Sequence, residues 1–254
     1  SVGSMPVDKL CEDVWLLQSG FKFFGLFQIG LNGLVLRLAP ADRPAFLVLV
    51  NPPKLTPAVV SQLRDIEAEA GAKVGVIVQP GDWHHFQLPA ARALFPEAKC
   101  YVASERNLRK QPSLVASVLD RSSPSIPELG NEVALLPWMG YTQDSMPWLV
   151  SGERRGAPRI EFVLFHRPSA TLFITDHFFP PKAGVPLKPN TGGFKLVDAA
   201  AARRSVESVL GLGATRAVFS HGQRDACVLA AGVPATLAEA YARLLAAHGA
   251  CASP

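Results

Sequence analysis

Cysteine is scarce in this chain: four residues, at 11, 100, 227 and 251, with no two in a CxxC pair or at any other metal-ligand spacing. That argues against a disulfide framework and suits a reducing compartment, so a cytoplasmic location is the expectation. No Ser/Gly tract or charge run is long enough to serve as a linker. With 254 residues and 48% hydrophobic content, residues 5–254 are expected to bury one core as a single domain. Ser1-Val2-Gly3-Ser4 reads as an appended leader before a native Met5, and no signal peptide is visible. A long apolar run is also missing. Lys22, Gln28, Asn32 and Arg37 interrupt Phe21–Leu38, and Gly25, Gly30 and Gly33 punctuate it. A membrane span needs about 20 nearly unbroken apolar residues; two strands joined by a turn explain the stretch better. Finally, charge of one sign is not concentrated anywhere. The net charge is +4, but Lys and Arg form only short clusters at Arg106–Lys110, Arg154–Arg159 and Arg203–Arg204. A nucleic-acid footprint gathers its charge on one face, so these clusters read as solvated surface, with no nucleic-acid or membrane partner.

What is present reads as strands first. Val14–Gln18, Phe23–Ile29, Leu34–Leu38 and Phe46–Val50 are short, rich in β-formers and separated by Gly, Pro or Asp turns. The texture then changes. Pro57 opens a helix on which Val60, Leu63, Ile66 and Ala70 recur until Gly71 stops it. Val74–Val78 is a continuous apolar run, as a buried strand requires, Leu88–Phe95 a second helix, and Lys99–Val102 a further strand. Residues 105–131 are polar and Pro/Ser-containing, with an apolar patch at Leu114–Leu119, a surface excursion with a short helix. The second half repeats the alternation: strands at Val133–Leu136, Ile160–His166, Thr171–Thr175 and Ala217–Ser220, helices at Ala199–Leu210 and Ala235–Ala247, and a hairpin turn at Arg167–Ala170. Two strand-rich stretches, each followed by a helix–strand pattern, imply two sheets face to face with helices outside.

Six histidines are candidates for chemistry: 84, 85, 166, 177, 221 and 248. Three apolar strands run straight into Asp or His: Val74–Val78 into Asp82-Trp83-His84-His85, Thr171–Thr175 into Asp176-His177, and Ala217–Ser220 into His221-Gly222. Each has an ordinary explanation, a turn cap or a satisfied histidine. Together they point to a metal, because imidazole and carboxylate suit zinc, iron or manganese and strand ends hold ligands rigidly. His166, mid-strand, and His248, in the last helix, read as structural. His177 is an outside candidate.

The segment Pro80-Gly81-Asp82-Trp83-His84-His85 resembles the His-x-His-x-Asp-His motif of the metallo-β-lactamase superfamily, with Pro80, Asp82, His84 and His85 on the motif positions. Gly140-Tyr141-Thr142-Gln143-Asp144-Ser145 resembles the family's Gly-His-Thr-Pro-Gly-Ser segment. The strand ending in Asp176 resembles the one bearing the bridging aspartate, and Ser220-His221-Gly222 the final histidine segment. Asn51, after Leu49-Val50, stands where an Asp is common. The resemblance covers nearly the whole chain in order and spacing, and implies an α/β fold: a four-layer αββα sandwich of two mixed sheets. It implies two metal positions, of which one falls on Pro80, Asp82 and Tyr141 and should be empty or very weak. The other falls on His84, His85, Asp176 and His221, all competent ligands for one divalent metal: zinc first, iron or manganese as alternatives.

By the same resemblance the expected activity is hydrolysis of an ester, lactone or thioester in a small-molecule substrate, with metal-activated water. Asp82 would act as general base or else as a cap or brace, and Tyr141 would steady an oxyanion or fill the vacated position. Phe21, Phe23, Phe24, Phe27, Trp138 and Trp148 are candidates for an apolar acyl pocket, or for core. Two rivals stand beside this reading: a non-catalytic binding protein on the same fold, and a non-haem iron redox protein.

Overall fold

Alternation of apolar side chains splits the central strands of the first sheet between two cores. Val14 and Leu16 join one buried cluster while Trp15 and Leu17 join another, and Val48 and Val50 part from Leu47 and Leu49 in the same way. A strand whose two faces are both apolar must be covered on both sides. The computed structural model describes residues 8–23, 27–142, 158–178, 182, 184–190, 195–223 and 226–247, with backbone alone at 21–23 and 27–29.

Seven strands form the first sheet in sequence order: β1 (Asp8–Cys11), β2 (Val14–Phe23), β3 (Phe27–Leu38), β4 (Phe46–Val50), β5 (Lys73–Gln79), β6 (Lys99–Val102) and β7 (Ser117–Val118). Its first four strands pair antiparallel and its last four parallel. The second sheet takes β8 (Val133–Pro137), β10 (Phe162–His166), β11 (Thr171–Ile174), β13 (Arg216–Phe219) and β14 (Val228–Leu229), in the spatial order β14-β13-β11-β10-β8. Only β11 and β13 run parallel in it. A ribbon of β9 (Tyr141–Thr142) and β12 (Lys195–Leu196) stands apart.

The sheets face each other across Leu16, Leu36, Val50 and Val78 from the first and Phe162, Leu164, Phe173 and Val218 from the second. Helices α1 (Pro57–Ala70) and α2 (Leu88–Leu94) cover the outer face of the first sheet. Helix α3 (Glu105–Lys110) follows β6, and α4 (Ala199–Leu210) and α5 (Val233–Ala247) cover the second sheet. The result is the four-layer αββα sandwich with two mixed sheets.

Local signals explain the boundaries. The Thr56 hydroxyl accepts from Val59 N at 3.3 Å, Pro57 sits in the first turn of α1, and Gly71 closes it in the left-handed region at φ 59°. Three expectations need correction, and three short strands were not among the expectations. Phe23–Ile29 is not one strand but the meeting ends of β2 and β3, with Phe23 opposite Phe27. The apolar patch at 114–119 supplies β7 at the sheet edge. The two-residue strands β9, β12 and β14 were too short to carry a periodic signal. In the Arg154–Arg159 cluster, Arg159 is 2% exposed and therefore not solvated surface.

Candidate metal centre

The two sheets meet at their strand ends through a chain of buried amides. Gln18 Nε2 donates to Asn32 Oδ1 at 2.8 Å, and Asn32 Nδ2 donates to the Phe219 carbonyl at 2.9 Å. The Asn32 backbone N donates to Ser220 O at 2.8 Å, and the Asn32 carbonyl accepts from Asn51 Nδ2 at 2.6 Å. Since Nδ2 of Asn51 is committed to a carbonyl, its Oδ1 must be the atom facing onward. It accepts from Gln79 Nε2 at 3.0 Å and lies 2.9 Å from His84 Nδ1. Asn51 holds this place at φ 50°, a left-handed conformation that Asn tolerates better than most residues.

An acceptor at Nδ1 fixes the tautomer of a neutral imidazole, because it leaves the proton on Nδ1 and the lone pair on Nε2. His84 is set this way by Asn51. His221 is set the same way, its Nδ1 lying 3.2 Å from the Gly30 carbonyl. The close approach needs Gly30 itself, since a Cβ there would run into the Gly222 carbonyl. Both bare Nε2 atoms then converge: they are 3.0 Å apart, and Asp176 Oδ1 lies 3.3 Å from His84 Nε2 and 3.1 Å from His221 Nε2. Three lone-pair donors this close repel unless a positive charge sits among them. A zinc ion with bonds of about 2.0–2.1 Å in tetrahedral geometry would space its ligands about 3.3 Å apart, close to the separations seen. The donor set fits a divalent metal.

The electrostatics agree. Burial pushes His84 below its ordinary value, against the pull of Asp176. At His221 burial acts in the same direction, but the hydrogen bond and charge of Asp176 outweigh it and raise the value. The two imidazoles shift oppositely because burial prevails at His84, with the His221 charge adding to it, while Asp176 prevails at His221. Burial raises Asp176, and the two histidines overcome it and hold the carboxylate well below its usual range. The side chains are 10%, 11% and 19% exposed for His84, Asp176 and His221. Solvent therefore reaches the group, mostly past His221. Asp176 Oδ2 faces the other way and accepts from Arg159 at 2.8 Å.

Among the described residues His84, Asp176 and His221 form the metal-competent group, with their ligand atoms within 4.8 Å of one another. His85 is not in it. It begins a short 3₁₀ turn at His85–Gln87, its Nδ1 folds back to the Asp82 carbonyl at 3.2 Å, and its ring stacks on Phe86. Asp82 is buried behind the group. Its carboxylate accepts from Ser104 Oγ and, at 3.0 Å, from Ile160 N. Tyr141 is 1% exposed and stacks on Trp138 at 5.3 Å. Trp138 in turn lies in the core under α4 and α5. The side chains of Phe21, Phe23, Phe24 and Phe27, and all of Trp148 and His248, lie outside the described residues. His166 is buried with Nδ1 2.7 Å from Ser169 Oγ. His177 is buried against Trp138 with Nδ1 3.1 Å from Tyr241 Oη, and burial pushes it down to about 3; it belongs to the core.

Sequence reasoning noted Asn51 but not its role, and missed Gly30 and Arg159 as parts of the site. Asn51 had a signal, a polar residue directly after a buried strand. Gly30 acts through a carbonyl and Arg159 through a fold-dependent approach, and neither leaves a pattern in sequence.

No family model matches the chain, and no curated protein matches it. Solved structures do. VMB-1 superposes with a TM-score of 0.64 at 17% identity, covering 95% of this chain and 96% of the other. The metallo-β-lactamase FIM-1 from Pseudomonas aeruginosa, in its mono-zinc form, gives 0.61 at 15% identity, covering 94% and 96%. A metallo-β-lactamase from Erythrobacter litoralis gives 0.59 at 14% identity, covering 94% and 92%. The chain has the metallo-β-lactamase fold. Within that fold, the candidate centre lies beyond the C-terminal ends of β5, β11 and β13, so its three residues follow three strands anchored in both sheets.

Proposed function

We propose that the chain is a hydrolase using one divalent metal, zinc first, held by His84, Asp176 and His221, and acting on an ester, lactone or thioester of a small molecule. The observation that carries this reading is the convergence of two bare imidazole nitrogens and one ionised carboxylate oxygen at 3.0–3.3 Å. Three protein ligands with solvent access suit a catalytic centre, whereas structural zinc takes four ligands and is closed. A divalent metal held by these three residues would supply an activated water and polarise a carbonyl.

The chain's own residues supply the orientation. Asn51 holds the His84 ring and Gly30 the His221 ring, each through Nδ1. Arg159 turns Asp176 so that Oδ1 faces the imidazoles. Asp82 ties the loop before His84 to Ile160 and Ser104, and keeps the His84 backbone in register with the second sheet. Asp82 thus serves as a positioning residue, and Tyr141 as packing beneath the site.

Two histidines and one carboxylate are also the donor set of non-haem iron oxygenases, which favours the redox protein as the second reading. Elemental analysis with parallel assays on p-nitrophenyl esters, acyl thioesters and lactones separates them. Zinc with turnover that disappears in His221→Ala supports the hydrolase. Iron with oxygen consumption, and no ester turnover after zinc loading, would replace it by the second reading.

A further inference from the structure

We infer that Arg159 is a tethered cation that fixes this centre at one metal ion, by occupying the side of Asp176 turned away from the histidines. The inference rests on the metal-site reading above and adds a stoichiometry and a residue that enforces it.

Asp176 divides its two oxygens. Oδ1 faces His84 Nε2 and His221 Nε2. Oδ2 accepts from an Arg159 guanidinium nitrogen at 2.8 Å, and the same nitrogen lies 2.6 Å from Glu161 Oε1. Two carboxylate oxygens from different strands thus converge on one positive centre. The Arg159 side chain is 3% exposed, too enclosed to bind substrate directly, and the Trp83 ring lies over it at 5.0 Å.

The backbone holds the guanidinium in place from both sides. Arg159 N donates to the Tyr141 carbonyl at 3.2 Å, Asp82 N donates to the Ile160 carbonyl at 3.2 Å, and Phe162 N donates to the Pro80 carbonyl at 2.7 Å. The Glu161 carboxyl fits under this loop only because residue 81 is glycine; a Cβ there would collide with it. Thr175 Oγ1 donates to the other Glu161 oxygen. These groups around the guanidinium are therefore anchored by hydrogen bonds of their own. A guanidinium also differs from a bound ion in two respects that matter here: it cannot be exchanged or chelated away, and its planar fork directs hydrogen bonds to both carboxylates. With Arg159 in place, Oδ2 is unavailable as a bridging ligand. Without it, Oδ2 of Asp176 and Oε1 of Glu161 would both face the space that the guanidinium fills, two oxygen donors aimed at one point, a site that suits a cation.

The test is titration of metal-stripped protein with zinc and with cobalt(II), reading bound equivalents by equilibrium dialysis and the cobalt absorption spectrum. Wild type and Arg159→Lys are expected to bind one equivalent. Arg159→Ala is expected to bind two, the second being lost again in the Arg159→Ala/Glu161→Gln double variant. Arg159→Gln, closer in shape, repeats the test if circular dichroism shows that Arg159→Ala does not fold. Two equivalents in wild type would overturn the inference, and so would a neutral variant that binds one equivalent or none. No metal in wild type is a different failure, because it removes the metal-site reading itself.

Discussion

Replacing Asn51 should weaken metal binding without touching a ligand, and the Ala and Asp variants should do so differently. Asn51 Oδ1 is the acceptor, 2.9 Å from His84 Nδ1, that leaves Nε2 bare. Groups in this position typically contribute 10–100-fold to metal affinity, so Asn51→Ala should raise the zinc dissociation constant by that factor, about 1.4–2.7 kcal/mol. The same change strips the buried Asn32 carbonyl of its donor at 2.6 Å and places Ala at φ 50°. A lost buried hydrogen bond costs about 1–3 kcal/mol and a left-handed Ala about 1–2 kcal/mol, so the metal-free protein should lose roughly 2–5 kcal/mol of stability. Asn51→Asp keeps an acceptor toward His84 and adds charge, so zinc affinity should stay within about threefold of wild type or improve. It nevertheless sets a carboxylate oxygen against the Asn32 carbonyl, and stability should fall by about 1–3 kcal/mol. Affinity is read by competition with a chromogenic chelator and stability by urea unfolding of metal-free protein, since bound metal would raise the apparent stability by linkage. A folded Asn51→Ala with affinity within twofold of wild type would refute the argument. An Asn51→Asp that loses zinc as fully as the Ala variant would refute it too.

Three further outcomes follow from the same geometry. His85→Ala should keep one metal per chain, because its ring folds back on the Asp82 carbonyl; loss of metal in that variant would return His85 to the ligand set. Gly30→Ala should lower both stability and metal affinity by forcing Gly222 and the neighbouring His221 apart, and unchanged zinc binding would show that the Gly30 carbonyl does not orient the ring. His166, pushed by burial down to about 4 in the folded chain, is protonated in the unfolded chain first. Its contribution is therefore complete above about pH 6.5 and is lost as pH falls toward 4, with about 1.4 kcal/mol gone at pH 5.5. Urea midpoints at pH 7.5 and 5.5 should differ less in His166→Phe than in wild type, and an equal difference would contradict the assignment.

The sandwich was legible because its elements announce themselves separately. Thr56, Pro57 and Gly71 mark both ends of α1, Phe46–Val50 and Val74–Val78 are bounded apolar runs, and the strands that end at His84, Asp176 and His221 could be ranked by that feature alone. The layering followed from the alternation of β and α patterns. What escaped depends on distances that no local pattern encodes. The choice between His84 and His85 turns on one φ/ψ step at the start of a 3₁₀ turn, and adjacent histidines look alike in sequence. Asp82 carried the composition of a base, yet the fold turns its oxygens onto Ser104 and Ile160 N. Arg159 sits in a basic, Pro-containing stretch that reads as surface, and only the pairing of its backbone with Tyr141 brings it under the site. The strands β9, β12 and β14, two residues each, are made by tertiary pairing rather than by propensity.

The central claim is a single metal held by His84, Asp176 and His221, and it is tested most directly by metal content. Protein purified without a histidine tag or chelator would be analysed by elemental mass spectrometry beside His84→Ala, Asp176→Asn and His221→Ala, each checked for folding by circular dichroism. The account predicts one zinc, or one iron, per wild-type chain and loss of the metal in all three folded variants. A wild-type chain that holds no metal and takes none up on titration, or a metal retained by all three variants, would contradict it.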